Sequence, residues 1–318
     1  MSLHLFGNLR KAKADGLFRN SSRFMHLSPP NRTSYCRPGV IEKGRLRSMT
    51  EKINESAPRP GKTVYGAALG ILMLDTRFPR IHGDIGNAET WPFPVIYKIV
   101  EGATSDKIVR RGAAGLKEDF ARAAKEIVAM GADGIGTTCG FLSLFQDDIA
   151  EAAGVPVASS SLMQVPWVQS TLPPDKQVGV ITISKESVTP AHLEAVGVPL
   201  DTPIVGTEGG KTFTTTVLDD RHYMDFPTAR DDLVDAGRRL VAEHKNIGAV
   251  VLECTNMGPF ARDVNLDLGL PVYDVVSYLT WFHGGLRPRC RPASPPARQP
   301  PCRPACLPAC LPACLPAC

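Results

Sequence analysis

One order of elements occurs twice in this chain and limits its fold more than any other feature. It is a helix, a tight turn, a short apolar strand, a cysteine where the strand should end, and a new helix. The first copy covers Gly115 to Ala153 and carries Cys139; the second starts with the stripe Leu233, Ala236, Gly237, Leu240 and Val241 and carries Cys254, with Pro259 suited to the first turn of the later helix. Strands that alternate with helices of this length make βα units and parallel sheets covered on both faces, so the class is α/β.

The other segments fit that frame. Thr63 to Leu74 is apolar throughout, as a strand buried on both faces would be, and Thr76 to Pro94 shows no periodicity and reads as a long loop. Phe120, Ala123, Ala124, Ile127 and Val128 share one helical face that Gly131 should stop, and Ser143 with Gln146 has capping-box spacing for a helix ending at Gly154. Strands are expected at 155–158, 177–183, 246–252 and 271–276, and helices at 163–171, 189–196 and 277–286. Ligands in such sheets sit at the carboxyl ends of strands, where Asp75, Cys139 and Cys254 fall.

Charge and cysteine content set the ends of the chain apart. Met1 to Ser48 holds ten Lys or Arg against two acids, and the stretch after Arg287 adds four Arg and no acid, so a total charge of +4 leaves the body at about −8. An acidic body gives no support for nucleic-acid binding, and no run is long and apolar enough for a membrane span. Residues 1–61 read as a disordered leader. Its Arg-rich, acid-poor composition is that of an organellar transit peptide, but translated upstream sequence before Met49 is the preferred reading, with a cytoplasmic location. Residues 288–318, with PAC and LPAC repeats, read as a low-complexity Pro/Cys-rich tail that could bind metal or oxidise but is expected to have no fold. Cys139 and Cys254, set in apolar runs, are expected to be reduced thiols.

A single buried cysteine is most simply inert. Two in matched positions, 115 residues apart, suit chemistry on opposite faces of one carbon: one thiol removes a proton and the other returns one, in either direction. A thiol at a strand end and helix start gains from the positive helix terminus, and an unperturbed thiol is scarcely ionised at neutral pH, so one of the two is expected to have a lowered pKa.

The runs Thr138-Cys139-Gly140-Phe141 and Glu253-Cys254-Thr255-Asn256-Met257, with GILMLDT at Gly70 to Thr76, resemble the aspartate/glutamate/hydantoin racemase superfamily over roughly Val64 to Leu286. The resemblance implies two similar domains of parallel sheet flanked by helices, divided as 62–160 plus 268–287 and 161–267, with the active site in the interdomain cleft. It also implies racemisation or epimerisation of an amino acid or related carbon acid, with no cofactor and no metal. Cys139 and Cys254 would be the catalytic thiols; Thr255 would hold the substrate carboxylate through its hydroxyl and amide; Asp75 and Thr76 would lie near its ammonium; Thr138, Gly140 and Asn256 complete the expected contacts. Asp75 is equally readable as a turn residue.

Gly140 and Phe141 stand where amino-acid racemases carry Asn and then Thr or Ser, which turns the expectation away from glutamate and aspartate toward hydantoin-like or other carbon acids. Decarboxylation or cis-trans isomerisation on the same scaffold, and a carboxylate-binding relative without turnover, are the alternatives. The expected partner is a small carboxylate or amino-acid-like molecule, and a homo-oligomer stays open. Strand alternation points Glu253 away from the face that carries Cys254. The histidines are scattered, and Gly206 to Thr212 reads as a glycine turn rather than a phosphate loop.

Overall fold

The computed structural model describes residues 61–288; the leader and tail readings therefore lie outside the described residues, apart from their boundary positions. The runs LGILML and QVGVIT become the inner strands β1 (Leu69–Leu74) and β5 (Gln177–Thr182) of two sheets. With β2 (Val95–Val100), β3 (Gly134–Thr137), β4 (Val157–Ala158), β6 (Ile204–Gly206), β7 (Ile247–Leu252) and β8 (Val272–Tyr273), the orders are β2-β1-β3-β4 and β6-β5-β7-β8. Every pairing is parallel. Two parallel four-stranded sheets flanked by helices are the expected class and architecture.

The sheets repeat one another residue by residue. The offset of 115 between Cys139 and Cys254 also separates helix α2 (Gln146–Ala153) from α7 (Ala261–Leu268), and Gly154 from Gly269. Both glycines stop their helices in the left-handed conformation at φ 64°, where a Cβ would be strained. Around and between these units run α1 (Lys117–Met130), α3 (Gln164–Gln169), α4 (Pro190–Glu194), α5 (Phe213–Leu218) and α6 (Phe226–Glu243), and α8 (Val275–Leu286) follows β8.

Strand alternation divides the core. Leu72 and Leu74 of β1, Ile181 and Ile183 at the end of β5, and Val250 and Leu252 of β7 join one apolar cluster common to both sheets, which also holds the two cysteines. The opposite faces are covered separately, Leu69 and Ile71 by Val275 and Leu279, and Val178 and Val180 by Val165 and Val168. Residues 268–287, expected to complete the first domain, divide between the sheets. β8 pairs with β7, whereas α8 lies on β3, so close that a Cβ on Gly136 would meet Leu279 Cδ1 at 2.8 Å.

Several expectations are corrected. The first strand starts at Leu69, not Thr63. β2 and β6 were not expected: β2 is an edge strand whose exposed and half-buried positions break the apolar run, and β6 has three residues. Ser143 does not cap α2; a 3₁₀ turn, Gly140–Phe145, intervenes, and Gln146 instead bonds the carbonyl of Val157 and the amide of Ser159. The 206–212 turn does connect a strand to a helix, β6 to α5. Its amides at Lys211 and Thr212, with that of Phe213, donate to the Asp232 carboxylate, which occupies the donors a phosphate would need.

Candidate active site

Because β3 and β7 hold the same place in their sheets, their carboxyl ends deliver Cys139 and Cys254 to one narrow cleft. Leu74 and Ile183, at matching places in β1 and just after β5, form part of its wall, and Phe141 and Glu253 also line it.

Short bonds fix the backbone around each thiol. Thr138 Oγ1 accepts from the Leu74 amide at 2.9 Å, and the Thr138 carbonyl accepts from Thr255 Oγ1 at 2.7 Å, a bond that joins the two halves. Cys254 Sγ donates to Asn256 Oδ1 at 3.6 Å, and Asn256 Nδ2 donates to Asp84 Oδ2 at 2.9 Å. Asp84 is held in turn by Arg80 at 2.8 Å and by the Gly86 amide at 2.7 Å. This chain links the long loop after β1 to the second cysteine.

The expectation of a lowered thiol pKa is corrected. Burial pushes both thiols up, and the nearby Glu253 charge pushes them further. At Cys139 the Phe141 and Leu142 amides and the Arg80 charge pull the other way; at Cys254 the Asn256 amide does so, while Asp84 adds to the rise. Burial outweighs the helix-terminus effect at both, and the opposing pulls favour ionisation of Cys139 over Cys254.

Glu253 also departs from expectation. β7 ends at Leu252, so strand alternation no longer governs the next residue, and the Glu253 carboxylate lines the cleft. It is 1% exposed, accepts from Thr182 Oγ1 at 2.8 Å and from the Ile183 amide, and its pKa rises to about 7 because burial disfavours the charge. Gly140 makes room for it: a Cβ there would overlap Glu253 Oε1 and lie 2.6 Å from the Glu253 carbonyl oxygen. Gly140→Ala should therefore cost about 1–3 kcal/mol in urea unfolding, the usual range for overpacking; a cost below about 0.5 kcal/mol would mean that the carboxylate moves aside freely.

Glu253 makes stability depend on pH in a definite direction. Below its ordinary value of 4.5 both folded and unfolded chains hold the proton; between 4.5 and about 7 only the folded chain does; above that neither does. Its contribution is thus lost as pH rises through that window, by on the order of 3 kcal/mol, and Glu253→Gln should remove the slope. Parallel stability curves for wild type and variant between pH 4.5 and 7 would contradict this.

Of the other sequence-derived residues, Thr138, Gly140 and Asn256 line the cleft with the thiols. Asp75 and Thr76 are not among its lining residues. Asp75 is paired with Arg77 at 2.9 Å and accepts from the Gly102 amide, which keeps its carboxyl below the usual range; Thr76 Oγ1 accepts from Arg80. The Thr255 hydroxyl proton is engaged by Thr138, so that group is not free to donate to a carboxylate. His192 is a buried histidine whose ring packs edge-on at 5.2 Å against Phe141, and burial lowers its pKa to about 4. Sequence reasoning missed Arg80 and Asp84; their i, i+4 spacing within the loop was the available signal.

Fold and site together define a two-sheet α/β protein with a thiol pair on one cleft. No protein-family profile matches the chain. It is similar to a dimethylsulfoniopropionate lyase of Durusdinium sp. clade D, 28% identical over 239 residues that cover 72% of this chain and 78% of that protein. It is also similar to dimethylsulfoniopropionate lyase 3 of Emiliania huxleyi, 31% identical over 222 residues, 66% of this chain and 57% of that one, so the chain spans little more than half of the latter's length. Among solved structures it is similar to an allantoin racemase of Pseudomonas fluorescens (15% identity, 68% and 90% of the two chains, TM-score 0.42). A maleate cis-trans isomerase of Nocardia farcinica is another (12%, 69% and 92%, TM-score 0.47). Among the described residues no helix is long and apolar enough to cross a membrane, and no group of three His, Cys, Asp or Glu is placed to hold a metal.

Proposed function

We propose that this protein is a carbon-acid lyase that works by thiol acid/base chemistry and needs no cofactor. It removes the proton α to a carboxylate and expels a sulfide from the β carbon of a β-sulfonio carboxylate. The observation that carries the reading is the unequal setting of two thiols on one cleft. Cys139 has amide donors and the Arg80 charge to support a thiolate, whereas Cys254 donates a hydrogen bond to Asn256 Oδ1 as a protonated thiol. The names of the relatives, dimethylsulfoniopropionate lyases, supply the substrate class.

In this mechanism the Cys139 thiolate takes the α proton. The C–H electron pair becomes the new Cα=Cβ bond as the Cβ–S bond breaks, and the sulfide leaves neutral with the electrons of that bond. The products are an α,β-unsaturated carboxylate and a protonated Cys139, which returns its proton to solvent. The leaving sulfide needs no proton, so Cys254 acts as a hydrogen-bond donor instead: its S–H, held by Asn256 Oδ1 in the free protein, turns to the charge that develops on the substrate carboxylate. Thr138, Gly140 and Asn256 supply the remaining contacts along the cleft.

The protein, given dimethylsulfoniopropionate, should release dimethyl sulfide and acrylate in equal amounts. Release of neither from this or other β-sulfonio carboxylates would sink the lyase reading. A second reading, racemisation or epimerisation, draws on the matched placement of the two thiols. It requires exchange of the Cα proton of amino acids or hydantoins in deuterated water, which an elimination-only enzyme would not give.

A further inference from the structure

The proposed lyase chemistry needs ionised Cys139, yet the cleft contains a buried carboxylate that raises both thiols. Of the residues lining the cleft, none is Lys, Arg or His, and Glu253 is the acid among them. A ligand carrying only a carboxylate would enter a site of its own sign. The position of Glu253 is nevertheless closely defined: Thr182 and Ile183 orient the carboxylate, and the absence of a Cβ at Gly140 leaves it space. Two hydrogen bonds hold the carboxylate but bring no opposite charge, so a cation in the cleft would be the first to face it.

We propose that Glu253 is the cation-recognising residue of this cleft, and that the substrate is a zwitterion whose compact onium group rests between the Glu253 carboxylate and the Phe141 ring. The inference rests on the lyase reading for the rest of the substrate and extends it to specificity. A sulfonium or quaternary ammonium group has no N–H to donate; it is recognised by opposite charge, by aromatic faces and by apolar contact with its methyl groups. The cleft offers all three, through Glu253, through Phe141 held edge-on by His192, and through the Leu74, Ile183, Val217 and Leu218 side chains. The bound onium charge also offsets the repulsion that Glu253 exerts on Cys139, which favours the thiolate when the correct substrate is present. A neutral or purely anionic carboxylate would leave the base protonated. Glu253 thus acts on substrate choice by direct contact and on the base through charge.

Binding, measured by calorimetry on the full chain, separates this from the chemistry. The two probes have the same shape and differ in charge: 3-(trimethylammonio)propanoate and 4,4-dimethylpentanoate. The wild-type protein should bind the onium probe about tenfold or more tighter than the neutral-tailed one, and Glu253→Gln should weaken the onium probe alone until the two bind alike. Equal binding of the probes by wild type, binding of neither, or an equal loss for both in Glu253→Gln would overturn the proposal. The wild-type comparison decides the matter even where the variant fails to fold. Onium preference without release of sulfide from dimethylsulfoniopropionate would sink the lyase reading and leave this inference standing. Sulfide release without onium preference would do the reverse.

Discussion

Cys139→Ser should lower the rate of dimethyl sulfide release from dimethylsulfoniopropionate by about 10³-fold or more at saturating substrate, while Cys254→Ser costs about ten- to a hundredfold. The asymmetry follows from the local setting. A serine hydroxyl keeps nearly the same size but ionises far less readily than a thiol, so it cannot serve as the base at neutral pH. At position 139 that change removes the proton acceptor. At position 254 the substituted hydroxyl can still donate to Asn256 or to substrate, because the Cys254 side chain enters the reaction as a donor. Substrate binding should survive in both variants, so the loss lies in kcat rather than KM. Equal losses would point to a two-base scheme of the racemase kind, and a dispensable Cys139 would transfer the base to Cys254.

The sequence exposes the matched cysteines because each follows an apolar strand and precedes a helix, a pattern carried by composition and by glycine stops. What it hides is what happens one residue past a strand. Glu253 follows Leu252, the last residue of β7, and the two-residue period that would turn it away from Cys254 stops there. The ionisation of the thiols is hidden for a related reason. A helix terminus can be read from local sequence, but burial depends on residues distant in the chain, such as Ile183, Val217 and Leu218, and burial is the larger effect. The edge strand β2 mixes exposed and half-buried positions around Lys98, so neither an apolar run nor a regular alternation marks it. The expected substrate contacts divide: Thr138, Gly140 and Asn256 reach the cleft, whereas Thr255 is committed to the Thr138 carbonyl and Asp75 and Thr76 to arginines of the following loop.

That loop is where the second large effect is expected. Arg80→Leu should lower stability by about 3–5 kcal/mol, as for removal of one partner from a buried ion pair. The side chains of Arg80 and Asp84 are 11% and 4% exposed, so neither charge is well solvated, and Arg80 lies 4.2 Å over the Phe78 ring, a contact leucine would only partly replace. Loss of Arg80 leaves Asp84 with the Gly86 amide and Asn256 Nδ2 but no opposite charge. Adding Asp84→Asn should recover part of the cost, since the stranded carboxylate is then gone; urea unfolding of the two single variants and the double variant measures this coupling. A cost below about 1 kcal/mol for Arg80→Leu would put the pair with exposed ion pairs, and the buried network would not bear on stability. The same substitution reaches the chemistry. Arg80 pulls the Cys139 thiol down, so without it the base ionises at higher pH, and the rising limb of the pH–rate profile should move to higher pH in Arg80→Leu. A structural loss alone would lower the amplitude of that profile and leave the limb in place.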